Sequence, residues 1–169
     1  MTILKRVWRG LDTAFEALVL LCLTAVLLVV LWQVFAREVL GSTPGWSEET
    51  ARLLMVWIGF LMTAIGFREG AHIALTFVVD RFPPALRRIV LWLGPLLALL
   101  FGIYLVYQGV QFAAATRFAT LPGTGLPRSV LYVVLPVAGL MICLYTILQV
   151  FGVSTQRYLD TPTDDVHID

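Results

Sequence analysis

The chain has 169 residues, of which 59% are apolar and 14% charged, and its mean hydropathy is +0.88. Soluble globular chains run at roughly 45–50% apolar and about 25% charged, so this composition excludes an ordinary soluble domain and a disordered chain alike. The net charge of +1 offers no basic field for nucleic acid, and two cysteines and two histidines argue against a disulfide scaffold or zinc module.

Charged residues divide the chain. Residues 17–36, 53–67, 89–116 and 129–156 contain no Asp, Glu, Lys or Arg. A membrane-crossing helix needs roughly 20 mostly apolar residues. The first, third and fourth windows meet that length. The second does so if Arg52 and Arg68 stand at its ends with their heads turned towards water. Backbone groups in hydrocarbon must satisfy one another, and these windows lack the alternation of barrel strands, so each is read as a helix. The expected fold is an all-α membrane protein with four transmembrane helices, at about 13–36, 48–68, 88–115 and 128–152. Residues 1–157 form a single domain on this reading, and 158–169 an acidic, flexible tail.

Lys5, Arg6 and Arg9 precede the first window as they would a signal sequence, but the window is longer than a cleavable apolar core of about 7–15 residues. A retained signal anchor is expected. With four spans both termini lie on one side. Lys5, Arg6, Arg9, Arg68, Arg81, Arg87, Arg88 and Arg157 would share it, against Arg37, Arg52, Arg117 and Arg128 opposite. Positive residues favour the cytoplasm, so both termini are expected there.

The connections differ in chemistry. Between the first two spans, Thr43-Pro44-Gly45 signals a turn and Ser47 reads as a helix N-cap. Glu48 and Glu49 follow in the first turn, where the helix dipole favours acids, and Arg52 stands at the pairing distance from Glu48. This group is either a capped helix start or a charge cluster that docks a partner, and the two are compatible. Between spans two and three, residues 70–79 are apolar but too short to cross, and Pro83-Pro84 stops a helix. A short element on the cytoplasmic membrane surface is expected there, with His72 near its start in a structural role. Between spans three and four lies the turn-rich run 121–127, with Pro127 fitting the first turn of the fourth helix. Its glycines lack the Lys-Ser or Lys-Thr of a phosphate loop.

Deep polar groups are few: Thr24, Gln33, Thr63, Gln108, Gln111, Thr146 and Gln149. Hydrogen bonds to neighbouring helices are expected of them, above all for Gln108 and Gln111, three residues apart. Pro136 should kink the fourth span, and Gly59, Gly66 and Gly139 should permit close helix contact. Trp32, Trp46 and Trp92 fall near the expected membrane interfaces. No span carries a histidine for catalysis or haem ligation, and Cys22 and Cys143 read as small apolar fillers. Neither an enzyme nor a cofactor or metal site is expected.

From the residues alone, the chain is either a subunit of a larger assembly or a small oligomeric transporter. Trp46-Ser47-Glu48-Glu49-Thr50-Ala51-Arg52, Trp57-Ile58-Gly59-Phe60 and Arg68-Glu69-Gly70-Ala71-His72-Ile73 occur in that order, followed by Asp80, Pro83 and, in the last third, Leu126-Pro127 and the run 132–139. This series resembles the DctQ-like small membrane subunit of tripartite ATP-independent periplasmic (TRAP) transporters, with Ala71 set between the glycine and histidine of the family's Gly-His-Ile type motif. The resemblance implies a bacterial inner-membrane protein beside a large transport subunit that carries the substrate and ion sites. It also implies a periplasmic binding protein that delivers a carboxylate, and uptake driven by an ion gradient. The small subunit would anchor and widen the static scaffold. Glu48, Glu49 and Arg52 would then contact a partner near the periplasm, and Arg68 and His72 would organise the cytoplasmic end. The alternatives are a small multidrug-type exchanger working as a homo-oligomer, for which Glu16 is the one candidate acid, and a membrane assembly protein with no transport role.

Overall fold

The computed structural model describes residues 2–69 and 84–151. The expected surface element at 70–79, with His72, and the acidic tail lie outside the described residues. Five helices follow in chain order: α1 Thr2–Leu40, α2 Gly45–Arg68, α3 Pro84–Ala115, α4 Ser129–Tyr132 and α5 Val134–Val150. No strand occurs among the described residues, and the sole β-feature is an isolated bridge between Thr120 and Pro127. Four stretches are long and apolar enough to cross a membrane: Asp12–Leu40, Gly45–Arg68, Trp92–Ala115 and Ser129–Val150. The protein is all-α with four membrane-spanning helices, α4 and α5 forming the last.

Local chemistry sets the helix limits. α1 runs past the charge-free window to include Arg37 and Glu38, which pair on the surface at 3.3 Å. It ends where Gly41 takes the left-handed conformation at φ 68°, a helix stop that glycine accepts without a Cβ clash. α2 starts at Gly45, two residues before the expected cap. Ser47 therefore lies inside the first turn, where its hydroxyl donates to the Pro44 carbonyl at 2.7 Å rather than accepting an N–H. Pro84 opens α3, a position whose N–H needs no helical partner. Pro95 is accommodated within that helix. The last span is interrupted at Val133, between α4 and α5. Pro136 has no N–H for the Tyr132 carbonyl four residues back, so the regular ladder fails one residue after Tyr132.

The chain forms two compact units, one of residues 1–62 and 107–136, the other of 63–106 and 137–169. In the first, Phe15, Val19, Cys22, Ala51, Leu61 and Val134 are buried. The Trp57 indole N–H donates to the Val130 carbonyl at 3.0 Å, tying α2 to α4. Phe112 stacks on Tyr132 at 5.6 Å between ring centres. Gly109 faces Leu135 and Pro136 so closely that a Cβ there would overlap both.

In the second unit Ala98, Leu105, Ala138, Ile142 and Tyr145 are buried. α3 and α5 meet there backbone to backbone. A Cβ on Gly102 would stand 2.6 Å from Cys143 Sγ, and one on Gly139 would stand 2.6 Å from the Gly102 carbonyl oxygen. Small residues allow such an approach where helices attract through packing rather than through water. The expectation for α2 is corrected: a Cβ at Gly59 or Gly66 would meet nothing within 4 Å. These glycines leave open space, and close contact falls instead to Gly102, Gly109 and Gly139.

Gly139→Leu is expected to destabilise the protein by about 1–3 kcal/mol through overpacking. Gly66→Ala should stay within about 0.5 kcal/mol or gain slightly, because alanine is the better helix former and has room. Apparent unfolding temperatures of the two variants in mild detergent check this contrast.

Candidate functional site

The two ends of α2 hold the side chains singled out in the sequence. At its start, Glu48 and Arg52 pair across one helical turn at 2.8 Å, with both side chains about two-thirds exposed at 66% and 65%. An ion pair this exposed contributes little to stability, about 0–1 kcal/mol, but it presents a fixed pattern of charge.

Glu49 points elsewhere. Its Oε1 accepts the Gly123 N–H at 3.0 Å, and its Oε2 accepts the Thr124 N–H at 3.0 Å and the Thr124 hydroxyl at 3.2 Å. The loop is built to present these donors. Thr120 and Pro127 form the bridge, Leu121 N donates to the Leu126 carbonyl at 2.8 Å, and Arg128 N donates to the Ala119 carbonyl at 2.7 Å. Gly125 takes the left-handed conformation at φ 69° that reverses the chain. Gly123 lies against Gly45, where a Cβ would come 2.7 Å from the Gly45 carbonyl. The glycine-rich loop does hold an anion, namely a carboxylate of its own chain. Charge-assisted bonds of this kind are about twice as strong as neutral ones. Sequence spacing gave no sign of this contact, because it joins residues 74 and 75 apart.

At the other end, Arg68 departs from expectation. Its side chain is fully buried at 0% exposure, whereas it was expected to turn towards water. Nε and Nη2 both donate to Glu69 Oε1, at 2.9 and 2.7 Å. The adjacent carboxylate gives the guanidinium a local partner, which makes burial tolerable. The Gln149 amide from α5 donates to the Phe67 and Arg68 carbonyls at 2.9 and 3.2 Å, capping backbone acceptors that the end of α2 leaves over. The expected bond from Gln149 to a neighbouring helix is present, with acceptors 82 and 81 residues away. His72 lies outside the described residues.

Glu49→Ala is expected to cost about 0.5–1.5 kcal/mol by removing the bonds to two loop N–H groups, one exposed and one half-buried. It should speed hydrogen exchange and proteolysis across 121–127, while Glu48→Ala leaves both unchanged. Arg68→Met should also destabilise the protein, because it leaves the half-buried Glu69 carboxylate without its Arg68 partner, and the apparent unfolding temperature reads the loss.

Comparison with known proteins agrees with the order of these motifs. Residues 8–156 match the family described as tripartite ATP-independent periplasmic transporters, DctQ component. The sialic acid TRAP transporter small permease protein SiaQ of Vibrio cholerae is 29% identical over 150 residues, 88% of this chain and 86% of that one. The C4-dicarboxylate TRAP transporter small permease protein DctQ of Rhodobacter capsulatus is 27% identical over 109 residues, 63% of this chain and 48% of that one. The sialic acid TRAP transporter permease protein SiaT of Haemophilus influenzae is 24% identical over 113 residues, 67% of this chain but only 18% of its own length. The family is a permease component and not an enzyme. This chain belongs to the DctQ component family of TRAP transporters, the small membrane subunits that pair with a large permease.

Proposed function

We propose that the protein anchors and widens the static part of an inner-membrane uptake system, while its large partner carries the moving substrate and ion sites. The observation that carries this reading is where charge is placed. Arg37, Glu38, Glu48, Glu49, Arg52 and Arg68 stand in the first or last two turns of a helix, Glu69 directly follows α2, and Asp12 and Glu16 lie in the first two turns of the membrane-crossing stretch Asp12–Leu40. The middles of the spans instead expose large apolar side chains such as Leu27, Leu28, Met62, Leu97 and Leu100. Transport pathways place ionisable groups at depth, whereas a scaffold needs packing surface.

Both termini face the cytoplasm on this proposal, in line with eight basic residues against four. The Glu48–Arg52 pair and the loop held by Glu49 then face the periplasm. There they contact the large permease or a docked periplasmic binding protein. Arg68 and His72 organise the cytoplasmic end. The substrate is a carboxylate, as for the relatives named for sialic acid and C4-dicarboxylates, and an ion gradient drives its entry.

Deletion of this chain is expected to abolish uptake of the cognate carboxylate, and proteoliposomes should need it together with the large permease, the binding protein and an imposed ion gradient. Uptake by the large permease without this chain would refute the scaffold role. Glu48→Lys should lower the uptake rate about tenfold at low salt and less at high salt, since rim charges act on encounter and are screened. The swap Glu48→Arg with Arg52→Glu keeps the pair but inverts its pattern, and should fail in the same way. Uptake by the swap at the original rate would remove docking from the role of this pair.

A further inference from the structure

The outward face of α3 in the first unit carries polar groups for which the described residues supply no partner. Gly109 fixes the facing of this stretch, because its Cβ position is filled by Leu135 and Pro136. Tyr107 and Gln111 stand two residues to either side, about 200° around the helix at 100° per residue. Tyr107 is 63% exposed, Gln111 is exposed and Gln108 is half-buried. Among the described residues, none of these three side chains makes a hydrogen bond. The expectation that Gln108 and Gln111 bond to a neighbouring helix is therefore not met among the described residues.

Depth makes this costly. α3 ends at Ala115, so Gln108 lies about 10 Å and Tyr107 about 12 Å along the axis from that end. The span Trp92–Ala115 has 24 residues, about 36 Å, against a hydrocarbon core of about 30 Å. Their backbone positions thus fall about 7–9 Å inside the hydrocarbon boundary of a centred span, and that of Gln111 about 3 Å inside. Acyl tails offer an amide or a phenol nothing to bond. A buried amide without a partner is among the expensive groups in an apolar medium. The other outward positions on this stretch are apolar or small, with Val110 exposed beside the pair and Ala114 exposed one turn after Gln111. A small residue beside a hydrogen-bonding one suits close approach of another helix.

We infer that Tyr107, Gln108 and Gln111 form the seam by which α3 docks on a membrane-spanning helix of the large permease subunit. That helix supplies neutral hydrogen-bonding groups, either hydroxyl or amide side chains or backbone carbonyls at a helix break. A charged partner does not suit, because the seam contains no charge to balance it. The inference rests on the family assignment, which supplies a large permease as partner, and it adds which face of this chain is used.

The test uses the intact two-subunit complex, purified in mild detergent through a tag on this chain. Gln108→Leu with Gln111→Leu removes both amides and keeps apolar volume on an outward face, so the chain should still fold. Each interhelical hydrogen bond is worth about threefold in association, so the double variant should retain the large permease about ninefold more weakly. In parallel, Tyr107 is replaced by photoreactive p-benzoylphenylalanine and irradiated in native membranes. A covalent adduct between this chain and the large permease is expected. Unchanged retention by the double variant, an adduct of two copies of this chain, or the absence of any protein adduct would each overturn the seam. If the unaltered chain retains the permease while these results fail, only the seam falls. If the unaltered chain retains no large permease, the scaffold reading falls with it.

Discussion

In hydrocarbon, a peptide group has no water to bond and must find its partner in its own helix or in a neighbouring protein group. Two long-range contacts in this chain follow from that constraint, and a third, on an exposed loop, repeats their pattern. Each joins a polar side chain to backbone groups at a helix end or interruption. Trp57 reaches the Val130 carbonyl in the turn before the break imposed by Pro136. Gln149 reaches the last carbonyls of α2. Glu49 gathers the N–H groups of the loop before α4. Regular helix satisfies itself; irregular backbone is tolerated where a side chain from elsewhere completes it.

The same economy explains how the acidic pair at the start of α2 divides its work. Glu48 and Glu49 are neighbours, but successive helical positions point about 100° apart. One turns to solvent and pairs with Arg52; the other turns to the loop. A local motif of two acids therefore supplies one outward charge pattern and one internal clasp. The clasp ties the start of α2 to the loop before α4.

Packing between the spans relies on shape more than on chemistry. With lipid as apolar as leucine, helices gain little by hiding apolar side chains from it, and they associate where backbones come close. Gly102 against Gly139, and Gly109 against Pro136, supply such approaches within their respective units. This leaves large leucine, valine and aromatic side chains on the outside, as a protein surrounded by lipid and by a larger subunit requires.

Much of this was legible in the sequence because it follows from properties that add along the chain. Four charge-free windows gave four helices, the proline in the last span foretold its break, and the ordered motifs around Glu48, Arg52 and Arg68 marked the family. Facing and long-range partners were not legible. Glu49 and Gly123, or Gln149 and Phe67, are separated by more than seventy residues, and no local period encodes such a meeting. Arg68 was expected in water because arginine is costly to bury, yet its side chain is fully buried and pairs with the adjacent Glu69. Gly59 and Gly66 looked as suited to close contact as Gly139, since a glycine's lack of a side chain says only that an approach is possible. Composition and order determined that this chain lives in the membrane as four helices. Which glycine receives a neighbour, and which polar group stays on the outside, depended on the rotation of each helix about its axis, which only tertiary contacts set.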